Sequence, residues 1–341
     1  MNRRDVLAGI SALGAVATGG LLLPGGTAWG AGRPVRIAIV AKSLGNGFFN
    51  AVHLGGDQAA SAIAAAGGGP VEVIFTGPTN TAAENQIDVV NALIAQHVDA
   101  IAISANDPDA LVPSCKRAMQ RGIKVMSYDS SVAKDGRILY LADATDQQAG
   151  DACLDLAADA CNGHGKVAIL SATATSTNQN SWIAAMKSDL PKHPGLDLVT
   201  IVYGDDLSDK SYREATALLQ KYPDLAVIIA PSTVAITAAA KAVDDAGKSG
   251  RVFVTGLGLP SECAGAVERG TIKSFAIWNP VDIGYAVIEI ASALVAGKGG
   301  PGTSIPAGKL GPIAFDADGN GTLGKPTTYD KSDIVAAAKL F

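Results

Sequence analysis

The residues best suited to chemistry in this sequence are amides, carboxylates and one lysine, each standing just after a run of apolar residues: Lys42, Asn46, Asn106, Asp107, Asp129, Asn178, Gln179, Ser232, Thr233 and Asn279. Aromatic residues sit among them, namely Phe48, Phe49, Trp182 and Trp278. Amides and carboxylates offer paired donors and acceptors that match vicinal hydroxyls. Aromatic faces cover the C–H side of a sugar-like ring. Any one of these residues alone is an ordinary helix cap or turn former. Their gathering after successive strand-like runs points to non-covalent binding of a small polyhydroxylated molecule.

Catalytic chemistry finds less support. Gly45-x-Gly47 and Gly256-x-Gly258 follow strand-like runs, as a dinucleotide fingerprint does, but position 50 is Asn50 and position 261 is Ser261. The second strand ends in Thr76, with no acidic residue for a ribose hydroxyl. Of the histidines His53, His97, His164 and His193, none falls at the carboxyl end of a strand, so a triad lacks its base. There is no G-x-S-x-G elbow. Asp316-Ala317-Asp318-Gly319-Asn320-Gly321 begins like a calcium loop, but the twelfth position is Thr327 and Pro326 precedes it. A polar turn fits better there. The sequence predicts no cofactor, no metal and no catalytic residue.

The elements that must position the polar groups alternate regularly. Val35–Ala41 reads as a strand buried on both faces. A polar, glycine-containing turn follows, and a helix runs from about Phe48 to Ala66. Strand-like runs recur at Val71–Thr76, Asp99–Ser104, Ile123–Tyr128, Ile138–Ala142, Lys166–Ser171, Leu198–Tyr203, Leu225–Ala230, Arg251–Thr255 and Thr271–Ile277, with helices between most of them. The pattern is α/β with parallel sheets covered on both faces. About ten strands in two similar series exceed one well-behaved open sheet and suit two lobes. The series break near Asp143, and passages between lobes are expected near Asp143, near Trp278–Asn279 and within Gly297–Gly311.

The net charge of −5 and pI of about 5.4 argue against a nucleic-acid partner. Residues 1–30 read as an export signal: Arg3-Arg4, then an apolar, glycine-rich stretch, then Ala28-Trp29-Gly30 as a cleavage site. The paired arginines fit the twin-arginine route, and an ordinary secretory signal fits as well. Cys153 and Cys161 lie eight apart on one expected helix, about 12 Å between Cα atoms, too far for a disulfide. With Cys115 and Cys263 they read as buried thiols.

Eight blocks in order carry a family resemblance: K-S-L-G-N-G-F-F, G-P-T-N-T-A-A-E-N-Q, I-S-A-N-D-P-D-A, K-R-A-M-Q-R-G-I-K-V, S-T-N-Q-N-S-W, Y-G-D-D-L-S-D-K-S-Y-R-E-A, T-G-L-G-L-P-S and A-I-W-N-P-V-D-I-G-Y. From Val35 to Phe341 the chain resembles the periplasmic solute-binding proteins of sugar ABC transporters, the ribose-binding-protein superfamily. It is most similar to the rhamnose-binding group and next to the autoinducer-2-binding proteins. The resemblance implies a two-lobed type I periplasmic binding protein fold with three crossovers at the hinge. Residues 34–142 plus 279–308 would form the N-terminal lobe, and 143–278 plus 309–341 the C-terminal lobe. It implies a monomer in the periplasm that delivers a monosaccharide to an ABC permease in the inner membrane.

The resemblance also implies roles for residues. Lys42 and Asp129 occupy ligand-contact positions of the autoinducer-2 proteins. Their Asp-Gln pair falls on Asn178-Gln179, and their Pro-x-Ala on Pro231-Ser232-Thr233. Both departures favour the rhamnose group. The sugar-stacking pair of the ribose proteins falls on Phe48 and Phe49. Their later aspartate and glutamine fall on Gly258 and Trp278, which implies a less polar wall suited to a deoxy sugar. Asn46, Asn106 and Asn279 complete the candidate set. A ligand sensor for a membrane receptor and an exported oxidoreductase are the competing readings.

Overall fold

The computed structural model describes residues 33–341, and the expected export signal, 1–30, lies outside the described residues. The first series runs β1 (Val35–Val40), α1 (Gly47–Ala65), β2 (Val71–Thr76), α2 (Ala83–Ala95), β3 (Ala100–Ile103), α3 (Val112–Gln120), β4 (Lys124–Tyr128) and β5 (Leu139–Ala142). The second runs α4 (Asp146–Ala160), β6 (Gly165–Ser171), α5 (Thr177–Asp189), β7 (Leu196–Tyr203), α6 (Ser208–Lys221), β8 (Leu225–Ala230), α7 (Thr233–Asp245), β9 (Phe253–Gly256), α8 (Pro260–Arg269) and β10 (Ser274–Ile277). The chain ends with α9 (Pro280–Val295), β11 (Ser304–Pro306), β12 (Pro312–Ala314), β13 (Asn320–Thr322), β14 (Thr327–Asp330) and α10 (Ile334–Ala337).

The first lobe is built on a six-stranded parallel sheet ordered β13-β5-β4-β3-β1-β2. The second has a four-stranded parallel sheet ordered β7-β6-β8-β9. An antiparallel pair, β10 and β14, attaches to it through bridges Val254–Ile272 and Leu257–Ala276. The inner strands are largely apolar because helices cover both faces: β3 is Ala-Ile-Ala-Ile with every residue buried.

Sequence signals start the helices. The Asn46 side chain accepts from Phe48 N and caps α1. Thr145 and Gln148 form a reciprocal capping box on α4. Asn279 caps α9, with Pro280 at its first position. Helices α1 and α9 pack backbone to backbone through two glycines. A Cβ on Gly55 would lie 1.8 Å from the Val281 carbonyl oxygen, and one on Gly284 would lie 1.7 Å from that of Val52. Any side chain there forces the two helices apart.

The chain passes from first lobe to second between β5 and α4, returns between β10 and α9, and passes a third time between β13 and β14. The third passage is later than expected. Gly297–Gly311 holds β11, which pairs with β12, and β13 still pairs with β5 of the first sheet. The boundary expected at 309 therefore falls between Thr322 and Thr327. Three-residue strands among glycines and prolines leave no hydrophobic period to read, so this stretch looks like a linker in sequence. Among the described residues no helix is long and apolar enough to cross a membrane.

Candidate ligand-binding site

The carboxyl ends of β1, β4, β6, β7, β8, β9 and β10 converge between the lobes, where open α/β sheets bind ligands. The free volume of the cleft there is about 40 Å³. Lys42, Asn46, Phe48, Phe49 and Asp129 line it from the first lobe. Asn178, Gln179, Trp182, Asp206, Pro231, Ser232, Thr233, Leu257, Ile277 and Trp278 line it from the second.

One side is a network of charge and amide. The Lys42 ammonium is 4% exposed and lies 3.3 Å from Asp129 Oδ2. It donates to Ser176 Oγ at 3.0 Å and to Asn178 Oδ1 at 3.2 Å. Asp129, 7% exposed, accepts from Asn178 Nδ2 at 2.6 Å and from Ser104 Oγ at 2.5 Å. A buried ion pair persists only where its remaining donors and acceptors are satisfied, and these bonds do that. Asp129 takes a left-handed φ of 54°, uncommon outside glycine, asparagine and aspartate, which turns it back from the end of β4.

This network also ties the lobes together, since Lys42 and Asp129 belong to the first and Ser176 and Asn178 to the second. Thr233 Oγ1 donates across the cleft to Asn46 Oδ1 at 2.7 Å. Thr81 Oγ1 donates to the Asp205 carbonyl at 3.0 Å, Thr175 Oγ1 to that of Asn106 at 2.8 Å, and Thr177 Oγ1 to that of Ser131 at 3.1 Å. The lobes are in a closed arrangement.

The other side is apolar: Trp182 and Trp278 meet edge to face with centroids 5.5 Å apart, beside Leu257 and Ile277. Phe48 and Phe49 form a similar pair at 5.2 Å on the first lobe. Trp278 Nε1 is enclosed and has no hydrogen-bond partner among the described residues. Gln179 Oε1 accepts from Ser171 Oγ and the Ala172 N–H, which leaves its amide nitrogen as the group turned to the cleft.

Four candidates stand outside the lining. Asp107 Oδ1 accepts from Asp109 N and Ala110 N, so it forms a turn. Asn106 Nδ2 donates to the Lys42 carbonyl at 2.9 Å, and its N–H donates to Gln86 Oε1, so it braces the loop beneath Lys42. Position 258 faces α8: a Cβ on Gly258 would stand 2.4 Å from Cys263 Sγ. The apolar wall comes instead from Leu257, Ile277 and the two tryptophans. Asn279 is exposed; it accepts from Val281 N and donates to Asp282, so it is a helix cap.

Two acids escaped the reading of the sequence. Asp206 lines the cleft from the loop after β7, and its Oδ1 accepts from Ser232 Oγ at 2.5 Å. Burial pushes its carboxyl above the usual range, while the Lys42 charge pulls it back. Asp143, 2% exposed, sits where the chain first passes between lobes, with its carboxyl beside that of Asp129 and no donor to either oxygen among the described residues. Burial pushes its carboxyl well above the usual range, and the charge of Asp129 pushes it further. An unpaired buried carboxyl is held neutral.

Among the described residues no three metal-ligating side chains cluster. Asp316 spends its oxygens on Asp318 N, Asn320 N and the Asn320 amide, and Asp318 pairs with Lys134, which makes the calcium-like stretch a polar turn.

Residues 37–299 match the family model described as periplasmic binding protein domain. The D-ribose/D-allose-binding protein of Pseudomonas aeruginosa is 30% identical over 269 residues, 77% of this chain and 83% of that protein. A solute-binding protein of an ABC transporter from Clostridium phytofermentas, solved with bound L-rhamnose, is 35% identical. It superposes with a TM-score of 0.84 over 91% of this chain and 99% of that one. LsrB from Clostridium saccharobutylicum, solved in complex with AI-2, superposes at 0.82 over 89% of this chain and 99% of that one. At 21% identity it shares the fold.

Proposed function

We propose, from the premise that this chain belongs to the periplasmic binding protein family that serves sugar ABC transporters, that it closes on L-rhamnose outside the cytoplasmic membrane and hands it to a permease. The chain is a binding protein and not an enzyme. The observation that carries the choice of sugar is the two-sided cleft, with a polar network facing an apolar wall. L-Rhamnose is a 6-deoxyhexose with hydroxyls along one edge and a methyl at the other. Asn178, Gln179 and Asp129 suit the hydroxyls, while Leu257, Ile277 and the tryptophans suit the methyl. The relative solved with L-rhamnose supports the same reading.

Magnitudes support the discrimination. Burying the methyl contributes roughly 0.8 kcal/mol. A hydroxymethyl in its place leaves a hydroxyl unpaired, at a cost on the order of 1–3 kcal/mol. Together these separate L-rhamnose from L-mannose by tens- to hundreds-fold, since about 1.4 kcal/mol is tenfold. Titration calorimetry with L-rhamnose, L-mannose, ribose and autoinducer-2 tests it. L-Rhamnose should bind tightest. Equal binding of L-mannose, or tighter binding of ribose or autoinducer-2, would overturn the choice.

A further inference from the structure

We propose that Asp206 is a further ligand-binding residue, contributed by the second lobe, and that it requires a free hydroxyl at one position of the sugar. The inference rests on the sugar-binding reading and adds a determinant of specificity to it. Asp206 is 6% exposed and lines the cleft together with Lys42 and Asp129. One oxygen, Oδ1, accepts from Ser232 Oγ, and Oδ2 has no hydrogen-bond partner among the described residues. Ser232 is itself fixed, because its Oγ caps α7 by accepting from Ala235 N at 3.2 Å. The acid is therefore held by one oxygen and open at the other.

The backbone supports an aimed side chain. Asp205 and Asp206 both take left-handed φ values, 55° and 52°. Two such residues in succession, neither of them glycine, form a costly conformation that local packing must hold. Here Lys210 pairs with Asp205, and Thr81 of the first lobe donates to the Asp205 carbonyl. Asp129, the acid on the opposing lobe, is in the same left-handed region. Two such acids thus face the ligand space, one from each lobe, while His97, Asn162 and Asp205 take the same conformation away from the cleft lining.

The chemistry narrows what Asp206 meets. A hydroxyl donates to a carboxylate and accepts from a protonated carboxyl. It therefore serves Asp206 whichever way burial and the Lys42 charge settle its proton. A methyl or a methylene satisfies neither form and leaves a buried acid unpaired.

The test is titration calorimetry on the full chain and on Asp206→Ala and Asp206→Asn, with L-rhamnose and its monodeoxy analogues. Asp206→Ala should lose about 10- to 100-fold in affinity, the range of a hydrogen bond to a charged group. One monodeoxy analogue should lose a similar factor against the wild type and almost nothing further against Asp206→Ala. Wild-type affinity in Asp206→Ala would overturn the proposal. So would a loss spread evenly over all analogues, the mark of a disturbed loop. Asp206→Asn keeps an acceptor for Ser232 and turns the open oxygen into a donor; if the alanine variant does not fold, a change in the deoxy penalty at one position alone supports the proposal and an unchanged series overturns it. If another sugar proves to be the ligand, the choice of rhamnose fails while its own deoxy series still tests Asp206. If the wild type binds no sugar at all, both fall.

Discussion

The two sides of the cleft are built from different materials. On one side, Lys42, Asp129, Ser176 and Asn178 satisfy one another across the lobe boundary. On the other, two tryptophans, Leu257 and Ile277 offer surface, and the one enclosed polar atom among them, Trp278 Nε1, has no partner among the described residues. The first side has to be intact for the lobes to meet. The second is free to choose what lies between them. Closure and selectivity should therefore respond to different substitutions.

The largest effect should come from cutting the polar side. Lys42→Met removes the only cation lining the cleft among the described residues and leaves Asp129 buried with amide and hydroxyl donors. Breaking a buried ion pair at one partner costs about 3–5 kcal/mol. Urea denaturation should show a loss of that order, and calorimetry should show binding of every sugar weakened by more than a hundredfold. Asp129→Ala should weaken binding by about 2–3 kcal/mol through lost charged hydrogen bonds. If either variant changes the preference among sugars while keeping the affinity for one of them, the polar side is selective and the contrast is wrong.

That side was also the more legible. Lys42 and Asp129 stand one or two residues beyond strands whose apolar runs are unmistakable, Asn178 opens the helix after another, and the βα alternation alone brings strand ends to one edge. The lobes, sheets and first two passages follow from the same alternation. The signals fail where one residue pattern serves two purposes. Asn279-Pro280 reads alike as a ligand-facing turn and as a helix start, and it is the latter. Gly204-Asp205-Asp206 looks like a turn because acidic residues favour turns; its left-handed φ values, which aim Asp206, have no sequence signature. Gly258 was assigned to the wall, yet its position turns toward Cys263, because one residue along a strand end reverses the side-chain direction.

A middling effect should come from behind the polar side, at Asp143. Its carboxyl is raised in the folded protein above the unfolded value of about 3.9. The groups facing it are Asp129 and Lys42, with Tyr128 and Tyr140 beside it. The folded state then binds more protons than the unfolded state above about pH 4, so stability falls as pH rises from there toward the folded pKa. Asp143→Asn removes this dependence. Melting curves should show the variant equal to the wild type near pH 4 and progressively more stable than it toward pH 7. A gap that stays constant across that range would mean that Asp143 does not hold its proton, and that the polar side carries one more charge than the contrast allows.

The smallest effect belongs to the apolar side and sharpens the contrast most. Trp278→Phe keeps an aromatic face against Trp182 and deletes the unpartnered indole N–H. If a sugar oxygen accepts from that N–H in the complex, its loss costs the net value of one neutral hydrogen bond, about 0.5–1.5 kcal/mol. Calorimetry should then give a three- to tenfold weaker affinity for L-rhamnose. The ratio of L-rhamnose to L-mannose should stay as in the wild type, because the methyl is judged by apolar area and Phe, Leu257 and Ile277 still supply it. The ligand-free variant should be no less stable, since an enclosed donor without a partner contributes nothing favourable to the fold. A collapse of the rhamnose-to-mannose ratio in this variant would mean that the indole N–H, not the wall, does the selecting, and the division of labour between the two sides would have to be redrawn.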